Sequence, residues 1–181
     1  MKMDKVANSK NDEFYTPKYA ITPILEFLKP NSIIWCPFDT SKSLFVKELE
    51  KAGHKVIFTH LENDIDFFEQ TKTSKYYSEC DYIISNPPYS LKTEVLQHLF
   101  KLNKPFAMLL GVVGIFESQT RFEMFRDNVF EILYFNRRVD YFNDYNEIKP
   151  SKNPPFSSVY ITSKILPKQI MFREINKKDI I

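Results

Sequence analysis

Two kinds of hydrophobic pattern take turns along this chain. Short unbroken apolar runs, "SIIWC", "KVIFTH", "DYIIS", "PFAMLLG" and "FEILYFN", are separated by stretches in which apolar residues recur every three or four positions. The runs have the length and content of buried strands, and the spaced stretches have the period of amphipathic helices. One helix is predicted after Thr16, where Ile21, Ile24, Leu25 and Leu28 share a face. Thr16-Pro17 reads as its N-cap followed by a proline at the first helical position, and Pro23 is expected to kink or restart it. Further helices are predicted over "SKSLFVKELEKAG", with Leu44, Phe45 and Leu49 inward and Gly53 at the stop, over "LKTEVLQHLFKL" and over "SQTRFEMFRDN". A last strand, "FSSVYITSKIL", alternates between faces. Strands alternating with helices over short links predict an α/β fold, a single doubly wound, mainly parallel sheet flanked by helices.

Residues 1–12 are polar and without period, which predicts a flexible N-terminal segment ahead of one domain over 13–181. There is no internal repeat and no linker. "RRVDYFNDYNEIKPSKNPP" is rich in turn formers and reads as a long loop, and Leu61 to Cys80 is too short for a full helix, strand and helix.

Composition sharpens this picture in three places. The 181 residues carry a formal charge of +2, but residues 136–181 hold nine Lys/Arg against five Asp/Glu, a mildly basic C-terminal quarter able to meet phosphates. Cys36 and Cys80 have neither pairing nor CxxC spacing and are expected to be small buried residues of a reduced, cytoplasmic protein. The N-terminus lacks the apolar stretch of a signal peptide, and the run from Pro105 to Phe116 is too short to span a bilayer, so no membrane is expected as a partner. Only three glycines occur, against an ordinary share of about 7%. A phosphate-cradling loop needs several, so neither a Walker loop nor a dinucleotide fingerprint can be built here. His54, His60 and His98 stand apart from any ligand-spaced partner, and no metal site is expected.

The chemistry concentrates in "DYIISNPPYS", where Asn86-Pro87-Pro88-Tyr89 stands at the end of a buried run. Two prolines remove two backbone donors and fix two φ angles, so the strand must stop in a rigid turn. In a doubly wound sheet, ligands bind beyond the carboxyl ends of the strands, and both this turn and "CPFDT" after the first strand belong there. A planar exocyclic amine is a poor nucleophile because its lone pair is delocalised. Two fixed acceptors on its N–H bonds favour a more tetrahedral nitrogen and stabilise its developing positive charge. The Asn86 side-chain oxygen and the Pro87 carbonyl suit that role, and Tyr89 offers a face for a flipped-out base.

In these residues the chain resembles the S-adenosylmethionine-dependent amino-methyltransferases of nucleic acids, in particular the adenine (N6) class and its small phage- and prophage-type members. The resemblance implies a Rossmann-like methyltransferase fold, S-adenosyl-L-methionine as cofactor and adenine-containing DNA as partner, with Asn86, Pro87, Pro88 and Tyr89 catalytic. It implies that Tyr15, Thr16 and Pro17 of "DEFYTP" lie near the methionine end of the cofactor. Pro37, Phe38 and Asp39 occupy the place of the first-strand cofactor loop, with His60 or Glu62 on the ribose. Asp66 and Phe67 hold the adenine, by its amino group and by packing. Phe156 of "PPFSSVY" corresponds to the aromatic that packs on the target base. Arg137 and Arg138, with Arg121 and Arg126, are the candidates for touching DNA, since no separate target-recognition domain is visible.

Where the family carries glycines after the first strand, "CPFDTSKS" has none, which predicts weak cofactor binding, on the order of tens of micromolar. Asn-Pro-Pro-Tyr is shared by methyltransferases of RNA and of protein glutamine, so those substrates are alternatives. A methyltransferase-fold nucleic-acid-binding module without activity is a third reading.

Overall fold

In a computed structural model of the chain, the described residues are 15–143, 150 and 156–180. The polar segment 1–12 and positions 144–149 and 151–155 of the expected loop lie outside them. The strands are β1 (Ile33–Cys36), β2 (Lys55–Phe58), β3 (Tyr82–Ser85), β4 (Phe106–Gly111), β5 (Glu131–Phe135), β6 (Ser158–Ser163) and β7 (Ile170–Arg173). They form a seven-stranded sheet in the order β2-β1-β3-β4-β6-β5-β7. The first four are mutually parallel, β6 enters antiparallel between β4 and β5, and β7 adds parallel to β5. One edge of the sheet therefore gathers the carboxyl ends of every strand except β6, which begins there.

The unbroken runs "DYIIS" and "PFAMLLG" become β3 and β4, buried on both faces, and β6, expected to alternate between faces, is buried on both as well because it lies between β4 and β5. Alternate side chains feed two cores. Ile34, Cys36, Tyr82, Ile84, Ala107 and Leu109 face helices α1 (Lys18–Leu25) and α2 (Leu44–Lys51). Trp35, Ile83, Phe106, Met108 and Leu110 face α3 (Lys75–Glu79), α4 (Lys92–Leu102) and α5 (Gln119–Asp127). Both cysteines are buried and free, as expected. Among the described residues no helix is long and apolar enough to cross a membrane.

Three expectations are corrected. Thr16 does not cap α1: Pro17 holds that position, and the first N–H groups, of Lys18 and Tyr19, donate to the carbonyls of Ile180 and Asp179 at 3.0 and 3.0 Å. The Lys18–Asp179 ion pair at 2.8 Å seals this junction. The end of the chain does what a local side chain does in most helices. Pro23 lies inside α1, which runs on through it. Finally, β7 was not foreseen. Ile170 and Phe172 are exposed on it, so the burial that marks a strand in sequence is missing.

Between β2 and β3 there is no strand. Two single 3-10 turns, Leu61–Asn63 and Phe67–Glu69, and the five-residue α3 fill the interval, so β2 is the edge of the sheet.

Candidate active site at the carboxyl edge of the sheet

β3 ends at Ser85, and the two prolines carry the chain into a 3-10 turn, Tyr89–Leu91, that leads directly into α4. The turn is closed by the Leu91 N–H on the Pro88 carbonyl at 3.1 Å. Asn86 is half-buried with its side-chain oxygen out of solvent. The Tyr89 hydroxyl donates to that of Tyr141 at 2.6 Å, and Tyr141 donates onward to Ser158 Oγ at 2.8 Å. Burial pushes both phenols well above their ordinary range, so they remain protonated donors. This relay pins the Tyr89 ring to the start of β6.

Phe156, just ahead of β6, meets the Tyr89 ring edge-on at 5.3 Å between centroids and an angle of 74°. Tyr141 completes the cluster, 6.2 Å from each. Gly111, the last residue of β4, makes the arrangement possible. A Cβ there would stand 3.2 Å from Phe156 Cδ2 and 3.3 Å from Tyr89 Cε2. Rings sandwiching a base stand about 7 Å apart, twice an ordinary contact distance. Here the two rings touch, leaving no room between them for a third ring.

Beside this cluster, at the junction of β1 and β3, Asp39 is 5% exposed. One carboxylate oxygen accepts from Ser43 Oγ at 2.5 Å and the other from Ser85 Oγ. Ser43 in turn caps α2 by accepting from the Phe45 N–H at 3.2 Å. Asp39 thus ties the ends of two strands to the start of a helix. Burial pushes its carboxyl up, and the two serine hydroxyls and His60 nearby oppose that shift.

Pro37 and Phe38 are buried, Phe38 edge-on to Phe67 at 4.9 Å. Phe67 itself has no exposed surface and packs among Trp35, Phe38, Phe68 and His98. Buried Asp66 caps its own 3-10 turn, accepting from the Phe68 N–H at 2.9 Å. After β2, His60 Nδ1 accepts from the Glu62 N–H at 3.2 Å and stands 3.7 Å from the Glu62 carboxylate. Tyr15 is bridged to Phe142 through backbone bonds of 3.1 and 2.9 Å, which brings the early segment to the same region of chain as Tyr141. Thr16 is buried and its hydroxyl has no hydrogen-bond partner among the described residues. Such an orphan costs about 1–3 kcal/mol unless a ligand or water meets it.

The candidates thus fall on one edge in two groups, Asp39 with the Asn86 turn and Tyr89 with Phe156. Arg137 and Arg138 are exposed immediately beyond β5. Tyr141, Ser43, Ser85, Ser158 and Gly111 were not singled out from sequence. Only Gly111 carried a signal, its rarity in a chain of three glycines. Among the described residues no group of His, Cys, Asp or Glu is arranged to hold a metal ion.

No protein-family model matches the chain, and no curated protein does. Solved structures do. A chain described as a modification subunit of a type I restriction enzyme from Vibrio vulnificus YJ016 superimposes with a TM-score of 0.59 at 11% identity over 95% of this chain. The fold is that of the Rossmann-like methyltransferases. This chain spans 48% of that subunit's length. A TehB-like SAM-dependent methyltransferase from Corynebacterium glutamicum aligns over 89% of this chain and 93% of its own at 13% identity and a TM-score of 0.47. A SAM-dependent O-methyltransferase from Thermotoga maritima gives 12% identity over 92% and 72%, with a TM-score of 0.44.

Proposed function

We propose that this chain transfers a methyl group from S-adenosylmethionine to the exocyclic amino group of adenine in DNA. The observation that carries the proposal is the Asn86-Pro87-Pro88-Tyr89 turn, held rigid at the carboxyl end of β3 and braced through Tyr141 to β6. Asn86 Oδ1 and the Pro87 carbonyl accept from the adenine amine and stabilise positive charge as its nitrogen bonds the methyl carbon. Tyr89 holds the flipped base by its face, with Phe156 closing over it.

The cofactor supplies an electrophilic methyl group on a sulfonium. The residues present fit it at two ends. The unpartnered Thr16 hydroxyl, with Tyr15 and Pro17, suits the methionine end, and partly exposed His60 with Glu62 suits the ribose hydroxyls. Asp66 serves the adenine amino group. Phe38 and Phe67 form the packed floor beneath that subsite, and Asp39 sets the backbone instead of reaching the ligand.

The test is incubation with methyl-labelled cofactor and, in separate arms, DNA, RNA and protein. Label on adenine in DNA supports the proposal; label on RNA or on glutamine reassigns the substrate. A second reading, a nucleic-acid-binding module without activity, is favoured by the saturated Asp39 and the fully buried Phe67. No cofactor binding by calorimetry at millimolar concentration, with DNA present, would establish it in place of the enzyme.

A further inference from the structure

The loop after β4 carries a second glycine three residues beyond Gly111. Gly114 has a φ of +70°, and the position of an added Cβ lies 3.8 Å from Arg121 Nη2 and 3.9 Å from Lys92 Nζ. Two cations therefore converge on one small space. Lys92 follows the Tyr89–Leu91 turn directly, and its ammonium donates to the Val113 carbonyl at 2.5 Å. Arg121, in the first turn of α5, is half-buried and donates through Nη1 to Thr93 Oγ1 at 2.7 Å. Its Nε is buried without an acceptor, and among the described residues it forms no ion pair. A half-buried guanidinium with an unused donor is costly unless an acceptor completes it. The carboxylate of Glu117 stands 3.8 Å from the same point, so the corner holds two positive charges beside one negative.

Its place along the chain says which anion. A Cβ added at Gly111 would meet the rings of Tyr89 and Phe156, and one added at Gly114 would lie within 4 Å of Lys92 and Arg121. Three residue steps join them, at most about 11 Å. The surface around the corner is also unusual: Phe116 and Phe122 are 53% and 56% exposed, and Arg126 lies 5.7 Å over the Phe122 ring. Cations interleaved with exposed aromatic rings suit a single nucleic-acid strand, whose phosphates and bases alternate.

We propose that Lys92 and Arg121 form a seat for a backbone phosphate next to the target nucleotide, with Phe116 and Phe122 as stacking platforms for a flanking base. This rests on the proposed function and narrows it to a phosphodiester substrate, which a protein glutamine is not. Arginine takes two phosphate oxygens through its fork while lysine acts as a point charge.

The test is fluorescence anisotropy of a short labelled single-stranded oligodeoxynucleotide containing adenine, titrated across a salt series, with the same sequence as RNA in a parallel arm. Arg121→Gln and Lys92→Gln are each expected to weaken binding about tenfold and to lower the slope of log K against log salt by about 0.7. Glu117→Gln is expected to tighten binding. Lys168→Gln, exposed ahead of β7 and away from this corner, measures the effect of surface charge alone, and thermal melts confirm that each variant is folded. A folded Arg121→Gln protein with unchanged slope, or a wild type that binds neither strand, overturns the seat. Asn86→Ala separates the two ideas. Binding kept while methylation is absent in every protein leaves the seat and removes the enzyme reading. Methylation of a peptide with no strand binding removes the seat and leaves a methyltransferase.

Discussion

Gly111→Ala is a small change with two separable consequences. Gly111 lies in β4 opposite Ser158, so alanine meets no backbone penalty there, and reduced freedom of the unfolded chain favours folding by about 0.4–1 kcal/mol. Against this, the methyl arrives 3.2 Å from Phe156 and 3.3 and 3.4 Å from two Tyr89 carbons, where ordinary carbon contacts begin near 3.5 Å. One ring must retreat by a few tenths of an ångström. Tyr89 is held by its hydroxyl on Tyr141 and by the prolines before it, and Phe156 is half-buried at the entry to β6. Phe156 is the ring that yields. Overpacking of this kind costs about 1–3 kcal/mol, leaving a net loss of about 1 kcal/mol. For a chain of this size that lowers Tm by about 2–4 °C. The assay pairs thermal melts with oligonucleotide binding in Gly111→Ala, Phe156→Leu and the double variant. Coupling of at least about 0.5 kcal/mol in stability, with binding weakened in Gly111→Ala, is expected. Additive stabilities together with unchanged binding would refute the claim that these groups share one space and that the space serves the base.

Asn86→Ala should abolish methyl transfer with cofactor affinity little changed, checked by turnover and calorimetry on the same preparation. Tyr89→Ala should weaken substrate binding by roughly 1–3 kcal/mol, and Tyr89→Phe by less, since stacking needs the ring; equal losses would point to the hydroxyl instead. Tyr141→Phe breaks both bonds of the relay, at 2.6 and 2.8 Å, and should cost about 1–2 kcal/mol in urea unfolding, more than Tyr89→Phe, which breaks one. Asp39 has its folded-state carboxyl raised above the unfolded value, so its contribution is fully present below about pH 4 and is lost as pH rises through the raised value. Wild type should therefore lose stability relative to Asp39→Asn as pH climbs above about 4, and the opposite trend would mean that the two serine hydroxyls outweigh burial.

Much of this was legible because burial writes itself into sequence. β3 and β4 are unbroken apolar runs because both faces are covered, and the prolines at 87 and 88 fix where β3 stops. The shortness of 61–80 correctly signalled that no further strand fits there. What escaped was carried by distant partners. Nothing near Thr16 shows that Asp179 and Ile180 will satisfy the first turn of α1. Tyr141 lies in a stretch without period, so its place between Tyr89 and Ser158 is visible only once β6 has crossed the sheet. Asp39 was expected beside the cofactor from its position, but its serine partners, 4 and 46 residues away, could not be read there. Phe67 was read as adenine packing and lies wholly within the core.

The position of β6 between β4 and β5 sets an order on how the chain can be completed as it is synthesised. β5 has two neighbours in the sheet, β6 and β7, and both follow it in sequence. When Phe135 emerges from a ribosome, β5 has no strand to join, and β4 presents an open edge until residue 158 arrives. The nascent chain thus passes through an interval with two unpaired apolar strands that must not pair with each other or with another chain. The residues that end this exposure are also those that finish the site, since Phe156 and Ser158 arrive with the same strand. Tyr89 and Phe156 therefore come together only after the sheet has closed.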